Sequence, residues 1–193
     1  MSLHRPLLLT IALLALLALG MATAGSPAAG STTAGSAVPD SCPFANARAG
    51  TVPKALLRSA TLCLVNRERA KHGLRPLRHD RRLMRAGRRH ARDMVRRRYF
   101  AHTSRAGVKF STRIRRTGYF GSRRWAVGEN LAWGARRRST PQAIVRSWLD
   151  SPAHRRNLLD RRWRDVGVAI VRGTPRRHRY QAATYATEFG ALH

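Results

Sequence analysis

Three short segments constrain this chain more than any other feature. They are Phe100-Ala101-His102-Thr103-Ser104, Gly128-Glu129-Asn130-Leu131-Ala132 and Ser151-Pro152-Ala153-His154-Arg155-Arg156-Asn157-Leu158. Each sets a polar functional residue beside a structured flank. A fold that uses them must bring two imidazoles and one carboxylate together from three separate elements. That set is the raw material of a shallow metal or acid–base site. Glu129 stands out because Glu68, Glu129 and Glu188 are the only glutamates in the chain.

The N-terminus lies outside any such fold. His4-Arg5 is a short basic region, Pro6 to Leu19 is almost wholly apolar, and Ala22-Thr23-Ala24 is a small-residue cleavage pattern. Residues 1–24 therefore read as a secretory signal peptide. The competing reading is a membrane anchor, but the apolar run is shorter than the ~20 residues a span needs. Residues 25–40 are rich in Ser, Thr, Ala, Gly and Pro and read as a flexible linker. The folded domain is expected over 41–193. Its two cysteines, Cys42 and Cys63, are an even count in an exported chain, which favours a disulfide pinning the N-terminal extension onto the first helix. Two unpaired thiols are the alternative, since spacing alone does not show that the geometry permits a bond.

Lys+Arg number 38 against 9 Asp+Glu, a formal charge of +29, and only Lys54, Lys71 and Lys109 are lysine. Such a surface binds polyanions with strong salt dependence. Outside a cell these are anionic wall polymers, acidic lipid headgroups at a membrane surface, or free nucleic acid. The plainer reading of Arg96-Arg97-Arg98 and Arg136-Arg137-Arg138 is a set of solvated faces. No zinc-finger spacing or stacking-aromatic motif accompanies them, which argues against a nucleic-acid reader. The charge also discourages self-association, so a monomer is expected.

Ala55 to His72 has helical spacing, with Leu56, Leu57, Ala60, Cys63 and Leu64 recurring and Gly73 as a stop. Asp80 is placed to cap a second helix through about Arg98, with Leu83, Gly87, His90, Ala91 and Met94 on one face. His90 on that stripe reads as a buried structural histidine. Phe110 to Thr117 is a short helix closed by Gly118. Thr140-Pro141 opens another, and Ser151-Pro152 repeats the signal. Val166 to Val171 and Tyr180 to Phe189 read as strands, the second placing Ala183, Tyr185, Thr187 and Phe189 on one face. Gly173 to Arg179 is the polar loop between them. The fold class is α+β, with helices on a small antiparallel sheet.

Several pieces then fall in a familiar order: Leu64-Val65-Asn66-Arg67-Glu68-Arg69, Gly73 to Leu77, His90 to Met94, Tyr99 to Ser104, Gly128 to Ala132, Trp148, Ser151 to Leu158, Val166-Gly167-Val168 and Phe189-Gly190. From about Ala60 to Gly190 the chain resembles the CAP superfamily of secreted cysteine-rich, antigen-five and pathogenesis-related proteins, most closely its compact bacterial branch. The resemblance implies an α–β–α sandwich with a cleft holding two histidines and two acids. His102 and His154 match the histidines and Glu129 one acid. The second acidic position aligns with Ser151, so the expected tetrad is a triad. Asp150 is its neighbour but points elsewhere on the helix.

Two imidazoles with an oxygen ligand suit weakly held, exchangeable Zn²⁺ on His102, His154 and Glu129. Alternatively, Glu129 hydrogen-bonds a histidine and fixes its tautomer, with no metal needed. Ser104 and Ser151 lie near the histidines in sequence but read as caps or turn residues. The cleft is expected to comprise His102, Glu129, His154, Ser151 and Asn130, although Asn130 and Asn157 also read as backbone ties, Trp148 as core and Arg113 as an ion-pair or surface residue. Three functions follow: a secreted protein binding a lipid, wall polymer or protein in the His/Glu cleft; a metal-assisted extracellular hydrolase; or an electrostatic polyanion binder.

Overall fold

The computed structural model describes residues 41–176 and 180–193. The expected signal peptide and linker, and part of the Gly173–Arg179 loop, lie outside the described residues. In chain order the elements are α1 (Lys54–Lys71), β1 (Arg78–His79), α2 (Arg81–Arg97), α3 (Phe110–Arg115), β2 (Trp125–Ala135), a 3₁₀ turn (Arg136–Ser139), α4 (Pro141–Leu149), α5 (Pro152–Leu158), β3 (Asp165–Arg172) and β4 (Ala182–Leu192). No helix among the described residues is long and apolar enough to cross a membrane.

The sheet order is β1-β3-β4-β2. The two pairings of β4 are antiparallel, while the two-residue β1 joins β3 in parallel, so the sheet is mixed at one edge. Strand alternation sends neighbouring side chains to opposite faces. Val166, Val168, Ile170, Ala183, Tyr185 and Phe189 pack with Leu57, Val65, Ile144 and Trp148 of α1 and α4. On the opposite face Ala169, Ala186 and Leu131 meet Ala91 and Met94 of α2. Helices thus cover both faces, giving the α–β–α sandwich that the resemblance implied.

Local chemistry explains the boundaries. Asp80 caps α2, its carboxylate accepting from the amides of Arg82 at 2.7 Å and Leu83 at 3.0 Å. The stripe Leu83, Gly87, His90, Ala91 and Met94 is buried as expected. The helix comes so near β3 that a Cβ at Gly167 would lie 2.0 Å from the Met84 amide nitrogen, so only glycine fits there. The Thr140 hydroxyl caps α4 through the Ala143 amide, with Pro141 in its first turn. Ser151 does not repeat this: its hydroxyl makes no cap hydrogen bond to α5.

Cys42 and Cys63 form a disulfide across 21 residues, tying the segment before α1 to that helix. A loop of this length is worth about 3 kcal/mol by restricting the unfolded chain. The C42A/C63A variant should therefore lose roughly that much in urea unfolding; an unchanged midpoint would mean the bridge contributes nothing.

Candidate functional site

The site forms where β2, the edge strand, meets the segment after α2 on one side and α5 on the other. Glu129 points to the α2 face and its side chain is fully buried. Its Oε1 accepts from His102 Nδ1 at 2.8 Å and its Oε2 from Arg113 Nη2 at 2.5 Å. Arg113 belongs to α3 and also donates to the carbonyls of His102 and Val108, both at 2.9 Å. One guanidinium therefore fixes the His102 backbone and the acid that holds its ring. Burial alone would raise the Glu129 carboxyl, but the His102 hydrogen bond, the Arg113 charge and neighbouring Glu188 outweigh it and hold it below the ordinary range.

An ionised carboxylate only accepts hydrogen bonds. The proton between His102 and Glu129 therefore sits on Nδ1, and Nε2 lies on the side of the ring away from that bond. With 54% of its side-chain surface exposed, the His102 ring is open to solvent or a ligand. His154, half-buried in α5, has its pKa lowered by burial and by the nearness of His102, so it is neutral at pH 7.

Asn130 points to the opposite face of β2. Its amide donates to the His154 carbonyl at 3.0 Å and its Oδ1 accepts from Asn157 at 3.0 Å. It ties α5 to the sheet, the backbone role the sequence suggested. A Cβ at Gly128 would lie 2.5 Å from Asn157 Oδ1, so glycine leaves room for that tie. From α1, Arg69 donates to the Leu158 carbonyl at 2.8 Å and the Asp160 carbonyl at 3.0 Å, anchoring the end of α5. Ser104 holds a turn, its hydroxyl accepting from the Val108 amide. Trp148 is core and donates to the Leu131 carbonyl.

His90 is buried as expected, with Nε2 donating to the Ala101 carbonyl at 2.8 Å. That bond holds the backbone just before His102. Among the described residues, no group of three or more His, Cys, Asp or Glu side chains is gathered so as to hold a metal ion. Each Glu129 oxygen accepts one hydrogen bond, which orients the His102 ring.

Sequence reasoning missed Glu188. It pairs with Glu129 across the β2–β4 ladder, is completely buried, and its carboxyl faces that of Glu129. Burial, reinforced by the charge of Glu129 and a side-chain hydrogen bond to it and opposed by Arg113, pushes its carboxyl well above the ordinary range. A second acid does sit beside Glu129, but it comes from β4 and not from the Ser151 region. The signal was available. Ala183, Tyr185, Thr187 and Phe189 occupy one face of β4, which sends Glu188, one of three glutamates, to the other.

Comparisons with known proteins bear on the family and the fold. Residues 62–187 match the profile of the cysteine-rich secretory protein family, CAP. The uncharacterized protein YkwD of Bacillus subtilis (strain 168) is 34% identical over 108 residues, covering 56% of this chain and 40% of that protein. An extracellular protein containing an SCP domain from Bacillus anthracis str. Ames superposes with a TM-score of 0.57 at 24% identity, over 74% of this chain and 45% of that one. An outer surface protein from Borrelia burgdorferi gives 0.62 at 21% identity, over 74% of this chain and 97% of that one. The chain spans less than half the length of both Bacillus relatives, and the two structures show the fold alone.

Proposed function

The chain belongs to the CAP, or cysteine-rich secretory protein, family, and on that premise we propose that it is a secreted binding protein whose His102–Glu129–His154 cleft takes an extracellular ligand: a lipid, wall polymer or protein. One observation carries this reading. Buried Glu129 holds the Nδ1–H of His102, whose ring is half exposed, and the neutral imidazole of His154 is near enough for the charge of His102 to act on it. Secretion is supported by the N-terminal leader pattern and by similarity to extracellular and outer-surface proteins.

The same pair fits a divalent cation such as Zn²⁺ in a limited way. His102 and His154 would hold it, and Glu129 would orient the first, as carboxylates do behind metal-bound histidines. Two protein nitrogens make a weak, exchangeable site, and a bound cation would supply an electrophilic contact for a ligand oxygen. A hydrolase finds less support. Glu129 has both oxygens committed and Glu188 is sealed from solvent, so neither is a ready general base.

Zinc titration by calorimetry tests the pair. The wild-type protein should bind one ion weakly, and the H102A/H154A variant none. Equal binding by both would separate the histidines from any cation and leave the cleft reading to ligand binding alone.

A further inference from the structure

Four arginines converge on one concavity at the ends of α2 and β3. Arg96 and Arg98 come from the end of α2, Arg172 from the end of β3 and Arg176 from the loop after it. With Val95 and Gly173 they line a cavity of about 760 Å³. A second cavity of about 560 Å³ shares Arg98 and Arg176 as wall residues and adds the rings of Tyr99, Phe100 and Trp133. Phe100 is 45% exposed. Trp133 lies four residues beyond Glu129 on the same face of β2, about 13 Å away by strand rise. The double concavity shares no lining residue with the set His102, Glu129 and His154, and its second cavity ends at Phe100, two residues before His102.

Three features distinguish it from the general arginine surface. First, counter-charge is sparse: among the described residues these four arginines make one ion pair, Arg96 with Asp93 at 3.8 Å. Asp93 is already engaged by Arg97 at 3.0 Å and the Tyr99 hydroxyl at 2.6 Å. Second, Arg98 caps α2 at φ 54° and ψ 54°. That left-handed position usually falls to glycine, yet an arginine occupies it, and its side chain forms the wall common to both cavities. Third, charge and exposed aromatic surface adjoin in a concave site, whereas the Arg136-Arg137-Arg138 run lies on an exposed turn.

We propose that this double concavity is a second binding site, for an anionic polysaccharide. Guanidinium forks pair with carboxylates with geometric specificity. The adjoining rings offer flat apolar surface to a sugar ring. A polymer alternating acid groups and rings would engage both cavities at once. The choice of polysaccharide rests on the secretory leader, which puts the chain where such polymers occur, and is independent of the histidine cleft.

Calorimetric titration of the purified protein with polygalacturonate tests this. The R172Q/R176Q variant should bind about tenfold more weakly, the scale of losing charge-assisted contacts. R123Q/R124Q removes the same charge elsewhere and should lose less than about threefold. R98G should also weaken binding while its melting temperature stays level or rises, because glycine suits that backbone. W133A should weaken binding, H102A/H154A should not, and neutral dextran should not bind. Equal losses in R172Q/R176Q and R123Q/R124Q would overturn the site in favour of diffuse charge. Binding of dextran as tight as that of polygalacturonate would overturn the requirement for acid groups. Tighter binding of single-stranded DNA, lost in the same variants, would replace the polysaccharide with nucleic acid.

Discussion

Replacing Glu129 by alanine is expected to destabilise the protein by roughly 3–5 kcal/mol, the usual cost of removing one partner from a buried ion pair. The reason lies with the groups left behind. Arg113 has only 9% of its side-chain surface exposed and gives Nη2 to Glu129. Without that carboxylate its charge is stranded, and His102 loses the acceptor that sets its tautomer. Glu188 moderates the loss. With the negative charge of Glu129 gone and Arg113 still near, its pKa should fall toward the ordinary range, and an ionised Glu188 can partly neutralise Arg113. The deficit should therefore shrink as pH rises. A double-mutant cycle with R113A checks the assignment: E129A/R113A should be little worse than E129A alone. A cost below about 1 kcal/mol for E129A would mean that the pair is not buried as described.

Glu188→Gln should have the opposite effect and stabilise the protein increasingly with pH. A carboxyl whose folded-state pKa is raised holds a proton that the unfolded chain releases, so the native state binds more protons. Its contribution is fully present below the unfolded pKa and is lost as pH rises through the folded one. Between the ordinary glutamate value of about 4.3 and the raised native value, wild-type stability should fall by about 1.4 kcal/mol per pH unit through this group. E188Q lacks that slope and keeps a neutral amide that can donate toward Glu129. The difference between the two proteins should thus be small near pH 4 and widen with each pH unit. Urea unfolding at a series of pH values from 4 to 8 reads this directly. Parallel profiles would show that Glu188 titrates as an ordinary glutamate in the fold.

The helices and two of the four strands were legible because their signals are local. The Asp80 cap with its apolar stripe, the Thr140-Pro141 start and the alternation after Tyr180 all appear within about one turn of where the sequence puts them. The strand Trp125–Ala135 was not read from its residues. Its central positions are buried on both faces, so it lacks the alternation that marks a half-exposed strand. Two of those positions, Glu129 and Asn130, are polar groups that belong indoors only because Arg113, His102, the His154 carbonyl and Asn157 meet them there.

The sequence by itself determined the candidate groups His102, Glu129 and His154, most of the elements that carry them, and the cysteine pair that bridges. These are properties of residue type, spacing and order, and they survive without coordinates. Only the tertiary structure decided how those groups are used. The β2–β4 register sets Glu188 directly opposite Glu129, and α3 delivers Arg113 to the second oxygen of Glu129. Which carboxyl keeps its proton, and which histidine nitrogen faces outward, follow from charge and burial among side chains up to 59 positions apart, as with Glu129 and Glu188. No local pattern in the chain encodes those distances.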